Sequence, residues 1–294
     1  MIECLSFEGG GVKSFCYVGI MKYFSEHSIN LNNLKVISGS SIGAFTSLCI
    51  VLGYTYEEFH DILAGFTLPN FLSVYAILKA IPNIFSHYGM LTTQTSSINK
   101  ILTDIFERKN IPDTITFKQL YNIYPVDLIL TASNVNKMQT EYFNYKNTPD
   151  MKVKDVCMMS MSYPLLFTPT LMNQNYYCDG GLYRNLPFGY IDLEYQQLNS
   201  IGFLLKDQSS EYEATTNIIQ YILCLINGLY FNSTNSDFEN DKYMMDTRIC
   251  QIPIPANISS MSTLTDEQKN ILSENGYNAI ESFFKSSNPS SFAI

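Results

Sequence analysis

The chain has 294 residues and is 46% hydrophobic, which excludes a disordered polymer and is ample for a sizeable core in one large domain or two small ones. Its formal net charge is -9, from 18 Lys+Arg against 27 Asp+Glu, and no basic run stands out. That argues against nucleic-acid partners and against electrostatic docking on anionic membranes, both of which need clustered positive surface. Seven scattered cysteines form no CxxC pair and predict buried thiols in a reducing, cytoplasmic setting.

In chain order, the pattern alternates strands and helices. Met1-Ile2-Glu3 leads straight into a strand over Cys4 to Phe7, so no signal peptide is expected. Gly9-Gly10-Gly11 breaks that strand, and Val12 to Glu26 reads as a helix that is apolar on most faces. A second strand, Lys35 to Ser38, is followed by a turn and a helix from Ile42 to about Leu52. Helices are predicted over Tyr56 to Phe66, Thr93 to Glu107 and Val153 to Ser162, and strands over Val126 to Ala132, Gln139 to Tyr145 and Ile201 to Leu205, with Tyr176 to Cys178 leading up to the Asp179 loop. Thr265-Asp266-Glu267-Gln268 is a capping box that opens a final helix to about Phe284.

Two apolar stretches bear on membranes. Phe66 to Met90 carries Lys79 as its one charge, but Pro69 and Pro82 bracket an apolar heart about half the length a span needs. Its aromatics Phe66, Phe71, Tyr75, Phe85 and Tyr88 make it the candidate lid or interfacial surface, with core packing as the competing reading. Ala214 to Ser236 carries no charge, but Asn217, Gln220 and Asn227 interrupt it, so it fits a buried helix. No transmembrane helix is predicted, and any contact with lipid would be peripheral and apolar.

This alternation argues for an α/β layered domain with a largely parallel sheet. No linker divides the chain, so one domain over 1–294 is expected, with a motif-bearing core to about 205 and a mostly helical C-terminal part from about 206.

Three features carry chemistry. Gly39-Ser40-Ser41-Ile42-Gly43 fits G-x-S-x-G, in which a strand turns sharply into a helix and the central side chain projects alone. Side chains two positions to either side would clash, so both are glycine, and the pattern selects Ser41 rather than Ser40. The Ile42 N–H, just after the nucleophile, is an oxyanion donor by the logic of the elbow. Gly9-Gly10-Gly11-Val12-Lys13 also joins a strand to a helix, and its N–H groups can form a nest for a phosphate or an oxyanion. A Walker A loop would need glycine where Phe7 and Val12 stand. Asp179-Gly180-Gly181 is the third feature, a loop with unusual backbone freedom.

The histidines are His27, His60 and His87, and none follows Asp179. A Ser-Asp-His order is therefore impossible, and either Ser41 is inert or a carboxylate activates it directly. No recurring His/Asp/Glu spacing suggests a metal, and no cofactor is expected.

With these residues in order and spacing, the chain resembles the patatin-like phospholipase family, related to the cytosolic phospholipase A2 catalytic domain. The likeness rests on Gly9 to Ser14, Gly39 to Gly43 and Asp179 to Gly181, with support from Val18 to Lys22, Ser160 to Pro169 and Asn185-Leu186-Pro187. It covers about residues 3 to 190. Ser14 stands where the family usually has glycine, which bears on packing at the helix start rather than on the N–H donors. The resemblance implies a three-layer α/β fold, a mostly parallel sheet flanked by helices. It also implies Ser41 as nucleophile, Asp179 as base, and Gly10 and Gly11 as oxyanion donors. The substrate would be a phospholipid or another acyl lipid, cleaved by a phospholipase A type reaction. Lysophospholipase, neutral lipase or thioesterase activity on the same dyad is the alternative, with an inert lipid-binding protein behind it.

Overall fold

The computed structural model describes residues 1–65, 74–92, 97–196, 198–207, 221–222, 224–230 and 248–286. The strands are β1 Cys4–Phe7, β2 Val36–Gly39, β3 Gly89–Leu91, β4 Asp127–Asn134, β5 Gln139–Phe143, β6 Leu165–Phe167, β7 Thr170–Met172, β8 Asn175–Asp179, β9 Ser200–Asp207 and β10 Ile249–Ile254. The helices are α1 Cys16–Glu26, α2 Ile42–Val51, α3 Tyr56–Gly65, α4 Val74–His87, α5 Ser97–Arg108, α6 Phe117–Ile123, α7 Val153–Ser160, α8 Phe188–Glu194, α9 over 221–222 and 224–230, and α10 Asp266–Ser286.

Eight strands form one sheet in the order β10-β9-β1-β2-β4-β8-β7, with β5 also paired to β4. The neighbours from β10 to β4 run parallel, while β5, β7 and β8 pair antiparallel. A small parallel pair, β3 with β6, stands apart. Alternation along the central strands feeds two apolar layers. Leu5, Phe7, Ile37, Leu128 and Leu130 join the main core with α1 and α2, whereas Cys4, Val36 and Ile129 meet Ile191 of α8 on the opposite face. The result is the expected α/β fold, a mostly parallel sheet flanked by helices.

The C-terminal part is not purely helical. β10 adds a strand beside β9, with Pro253 within it. Proline cannot donate to a ladder and reads against a strand, but an edge position leaves its nitrogen free of that duty. α10 opens with the capping box: the Thr265 N–H donates to Gln268 Oε1 at 3.0 Å and the Gln268 N–H to Thr265 Oγ1 at 3.2 Å. The region read as one helix from Val12 begins instead with a 3-10 turn, Gly11–Phe15, before α1. Of the candidate lid aromatics, Phe85 and Tyr88 are exposed, while Phe66, Phe71 and the Tyr75 side chain lie outside the described residues. No helix among the described residues is long and apolar enough to cross a membrane.

Register places the chemistry. Phe7 at the end of β1 pairs with Gly39 at the end of β2, so the glycine nest and the serine turn leave the sheet side by side. Gly39 pairs in turn with Leu130, and Asp179 pairs with Ala132 two residues further along β4. Three segments far apart in sequence thus converge at one end of the sheet, outside the carboxyl ends of its parallel strands, where open α/β sheets place their ligands.

Candidate active site

The turn after β2 is a strained elbow. Ser41 has φ 55° and ψ -127°, a left-handed backbone that a non-glycine residue adopts at a cost of order 1–3 kcal/mol. The flanking glycines are sterically required. A Cβ on Gly39 would lie 2.2 Å from the Gly43 carbonyl, and one on Gly43 would lie 2.4 Å from the Phe7 carbonyl oxygen. Ser40 is fully buried and its hydroxyl has no hydrogen-bond partner, whereas Ser41 is half-buried.

Ser41 Oγ donates to Asp179 Oδ2 at 2.5 Å across 138 positions of sequence. The other carboxylate oxygen, Oδ1, accepts the Gly181 N–H at 2.9 Å, so the second glycine of the Asp loop orients the side chain. The Asp179 N–H donates to the Ser162 carbonyl at 2.9 Å. Gly180 packs so closely that a Cβ there would meet Thr131 Oγ1 at 2.3 Å. Burial pushes the Asp179 pKa up to about 7, against the lowering pull of the Ser41 and Gly181 hydrogen bonds and of the nearby Tyr230 side chain. A carboxylate of that basicity is matched to proton transfer near neutrality.

The histidines make their contacts elsewhere. His27 meets the Tyr23 carbonyl, His60 lies beside Asp61, and His87 lies beside Ser86.

The nest is built as a donor surface. Gly11 has φ 56°, and a Cβ there would lie 2.1 Å from the Ser260 carbonyl oxygen. Gly9 N–H donates to the Asn185 carbonyl and Val12 N–H to the Ser260 carbonyl. The N–H groups of Gly10, Gly11 and Ile42 meet no acceptor among the described residues. Lys13 turns away from the nest: its Nζ pairs with both carboxylate oxygens of Asp207, at 2.7 and 2.8 Å. Ser14 fits the helix start by donating its hydroxyl to the Gly11 carbonyl at 2.7 Å.

Several supporting residues were not legible as such. Ser160 Oγ accepts the Ser41 N–H at 2.9 Å, which fixes the elbow and removes that N–H from the set of free donors. Buried Glu8 accepts from Asn185 Nδ2 at 2.8 Å and from the Leu205 N–H at 2.6 Å, and Asn185 Nδ2 also reaches the Gly9 carbonyl at 3.0 Å. That network fastens the nest to the segment after Asp179. Asn185 lay in a segment singled out by resemblance, but Glu8 carried no signal beyond its place before three glycines. Tyr230, from α9, was not among the candidate residues.

A cleft of about 60 Å³ opens beside the donors, lined by Gly11, Phe15, Ile42, Leu63 and Leu264 among others. An apolar cavity behind it shares Ile42 and Leu63 and reaches Phe45, Leu102 and Met161.

Comparison with known proteins places this arrangement. A family model described as patatin-like phospholipase matches residues 5–192. The chain is 28% identical over 294 residues to an uncharacterized protein of Acanthamoeba polyphaga mimivirus, covering 95% of this chain and 93% of that one. It is also 28% identical over 186 residues to a probable lipid hydrolase of Invertebrate iridescent virus 6, covering 63% and 61%. Among solved structures, VipD from Legionella pneumophila superposes with a TM-score of 0.62 at 17% identity, over 97% of this chain and 67% of that chain. ExoU of Pseudomonas aeruginosa, in complex with SpcU, gives 0.53 at 14% identity, and this chain spans 53% of its length. At these identities the solved structures show the fold alone.

Proposed function

The chain belongs to the patatin-like phospholipase family, a family of lipid hydrolases, and from that premise we propose that it cleaves fatty-acyl esters of phospholipids through a Ser41–Asp179 dyad. The observation that carries the reading is the 2.5 Å hydrogen bond from Ser41 Oγ to a buried carboxylate, made at a strained elbow beside free N–H groups.

Ser41 Oγ attacks the ester carbonyl as its proton passes to Asp179 Oδ2. The N–H groups of Gly10, Gly11 and Ile42 take the developing oxyanion, a term of about 3 kcal/mol per donor. Asp179 returns the proton to the leaving alkoxide. It then draws a proton from water, which attacks the acyl-enzyme carbonyl, and passes that proton to Ser41 Oγ as the ester bond breaks and the fatty acid is released. Phe15, Ile42, Leu63 and Leu264 give the cleft beside the donors an apolar wall against which an acyl chain lies. No metal takes part in this scheme.

Contact with lipid is peripheral. The outer face of α9 presents Tyr221, Leu225 and Leu229 to solvent, one turn apart, within a stretch of 23 residues that carries no charge. α9 also touches the dyad loop through Tyr230, which puts this apolar face beside the site.

Fatty-acid release from phosphatidylcholine, labelled separately at each acyl position, tests the reading. Ser41→Ala is expected to lower turnover by about 10⁴-fold or more. A fluorophosphonate probe should label the wild type and ignore the variant. An inert lipid-binding protein would release nothing and take no label, and hydrolysis confined to lysolipids, neutral lipids or thioesters would shift the substrate while keeping the dyad.

A further inference from the structure

Asp179 is held by more than its own motif. Beyond the Ser41 hydroxyl and the Gly181 N–H, one more side chain reaches it, and that side chain comes from α9, outside the segment that carries the family motifs. The ring of Tyr230 lies directly on the bare Cα of Gly181: a Cβ there would meet Tyr230 Cε1 at 2.6 Å and Cδ1 at 2.9 Å. The second glycine of the Asp loop therefore serves two purposes, donating its N–H to Asp179 and leaving room for this ring. The Tyr230 hydroxyl is buried close enough to the Asp179 carboxyl for each group to act on the other's charge.

The approach is braced. Tyr230 stacks on Tyr163, with ring centroids 5.2 Å apart and planes 20° from parallel. Tyr163 also donates its hydroxyl to Asn227 Oδ1 at 2.7 Å, almost one turn earlier on the same helix. Tyr163 follows Ser162, whose carbonyl takes the Asp179 N–H at 2.9 Å. Two consecutive residues thus hold the Asp179 backbone and the Tyr230 ring, which sets the two side chains relative to each other.

We propose that Tyr230 is a positioning residue for the dyad, its hydroxyl donating to the Asp179 carboxylate and holding it in the orientation that serves Ser41. The inference rests on the Ser41–Asp179 reading. Burial and the neighbouring Asp179 charge push the Tyr230 phenol well above its ordinary pKa, so it remains a donor at every working pH. The other titratable groups against the pair are Cys178, whose thiol burial pushes up to about 12, and Tyr163. Neither supplies a charge near neutrality that could replace the phenol. A donor to the charged form lowers the basicity of a carboxylate. Tyr230 therefore gives up some proton affinity at Asp179 in return for a fixed rotamer, in a pocket whose burial would otherwise leave the base neutral at pH 7.

The test is Tyr230→Phe, which keeps the ring, its stack on Tyr163 and its fit on Gly181. Measured as kcat/KM against pH on a soluble acyl ester, the acidic limb should move up by about one pH unit, so that turnover at pH 6 falls roughly tenfold. A purely structural tyrosine would change stability and leave the limb where it is. Ser41→Ala is run in parallel. If Ser41→Ala loses turnover and Tyr230→Phe leaves the acidic limb in place, the Tyr230 inference alone falls. If Ser41→Ala retains turnover, both readings fall. Labelling rates with a fluorophosphonate across the same pH range give a second readout that does not depend on deacylation, and they should show the same shift.

Discussion

Two turns leave the sheet side by side and do opposite things with nearly the same φ. In the nest after β1, Gly11 has φ 56°; in the elbow after β2, Ser41 has φ 55°. At Gly11 the left-handed conformation carries no steric cost and leaves no side chain, so what faces the cleft is N–H. At Ser41 the same φ costs energy, and what projects is a hydroxyl aimed at Asp179. The nest is a surface of donors without side chains, and the elbow is one side chain with its neighbours stripped away. Parallel strands in register put them side by side, as the proposed attack on an ester carbonyl requires.

Giving the nest a side chain tests whether it acts as a donor surface. Gly11→Ala places a Cβ 2.1 Å from the Ser260 carbonyl oxygen and forces an unfavourable φ. It should lower kcat on phosphatidylcholine by about 10²–10³-fold, the scale of a lost oxyanion donor. Fluorophosphonate labelling of Ser41 should fall with it; intact labelling and turnover would mean that the nest is only a tight turn.

The elbow differs from the nest in being wired to a buried carboxylate, and Asp179→Asn isolates that difference. With the folded pKa raised from 3.8 to about 7, the native state holds this proton more tightly than the unfolded chain does. The stability contributed by the group is full below the unfolded pKa and is lost as pH rises through about 7. At pH 8 the charged carboxylate is thus a burden of at most about 4 kcal/mol. Asp179→Asn should abolish turnover and raise Tm at pH 8, with a smaller gain at pH 5. The wild type should show kcat/KM rising with pH through about 7. A Tm that falls equally at both pH values would contradict the buried-base assignment.

The smallest effect compares Ser41→Gly with Ser41→Ala. Both lose the nucleophile, but only glycine relieves the strained φ, so Ser41→Gly should be more stable by about 1 kcal/mol. Equal denaturation midpoints would mean that the elbow carries no strain.

Much of the site was legible because its demands are local. A sharp strand-to-helix turn requires Gly39 and Gly43, whatever surrounds it, and the absence of a histidine after Asp179 is a fact of sequence alone. The strands before the nest and the elbow and the helix that follows the elbow were likewise readable from apolar runs and glycine breaks, whereas the strand that ends at Asp179 was not. β10 was not, because Pro253 argues against a strand until the sheet edge that tolerates it is known. β3 and β6, three residues each, are too short to show a period.

The sequence by itself singled out Ser41 by its flanking glycines and excluded a histidine after Asp179, while the resemblance to the family pointed to Asp179 as base and to Gly10 and Gly11 as donors. Only the tertiary structure decided how basic Asp179 is and what holds the site together. Basicity depends on burial, and burial is a property of the packed sheet, not of the Asp-Gly-Gly loop. Ser160, Glu8, Asn185 and Tyr230 act on the motifs from distant positions through hydrogen bonds and contacts that no local spacing encodes. Ser41 stands out in the sequence because steric rules isolate it, but its 2.5 Å bond to Asp179 exists because β2, β4 and β8 are in register.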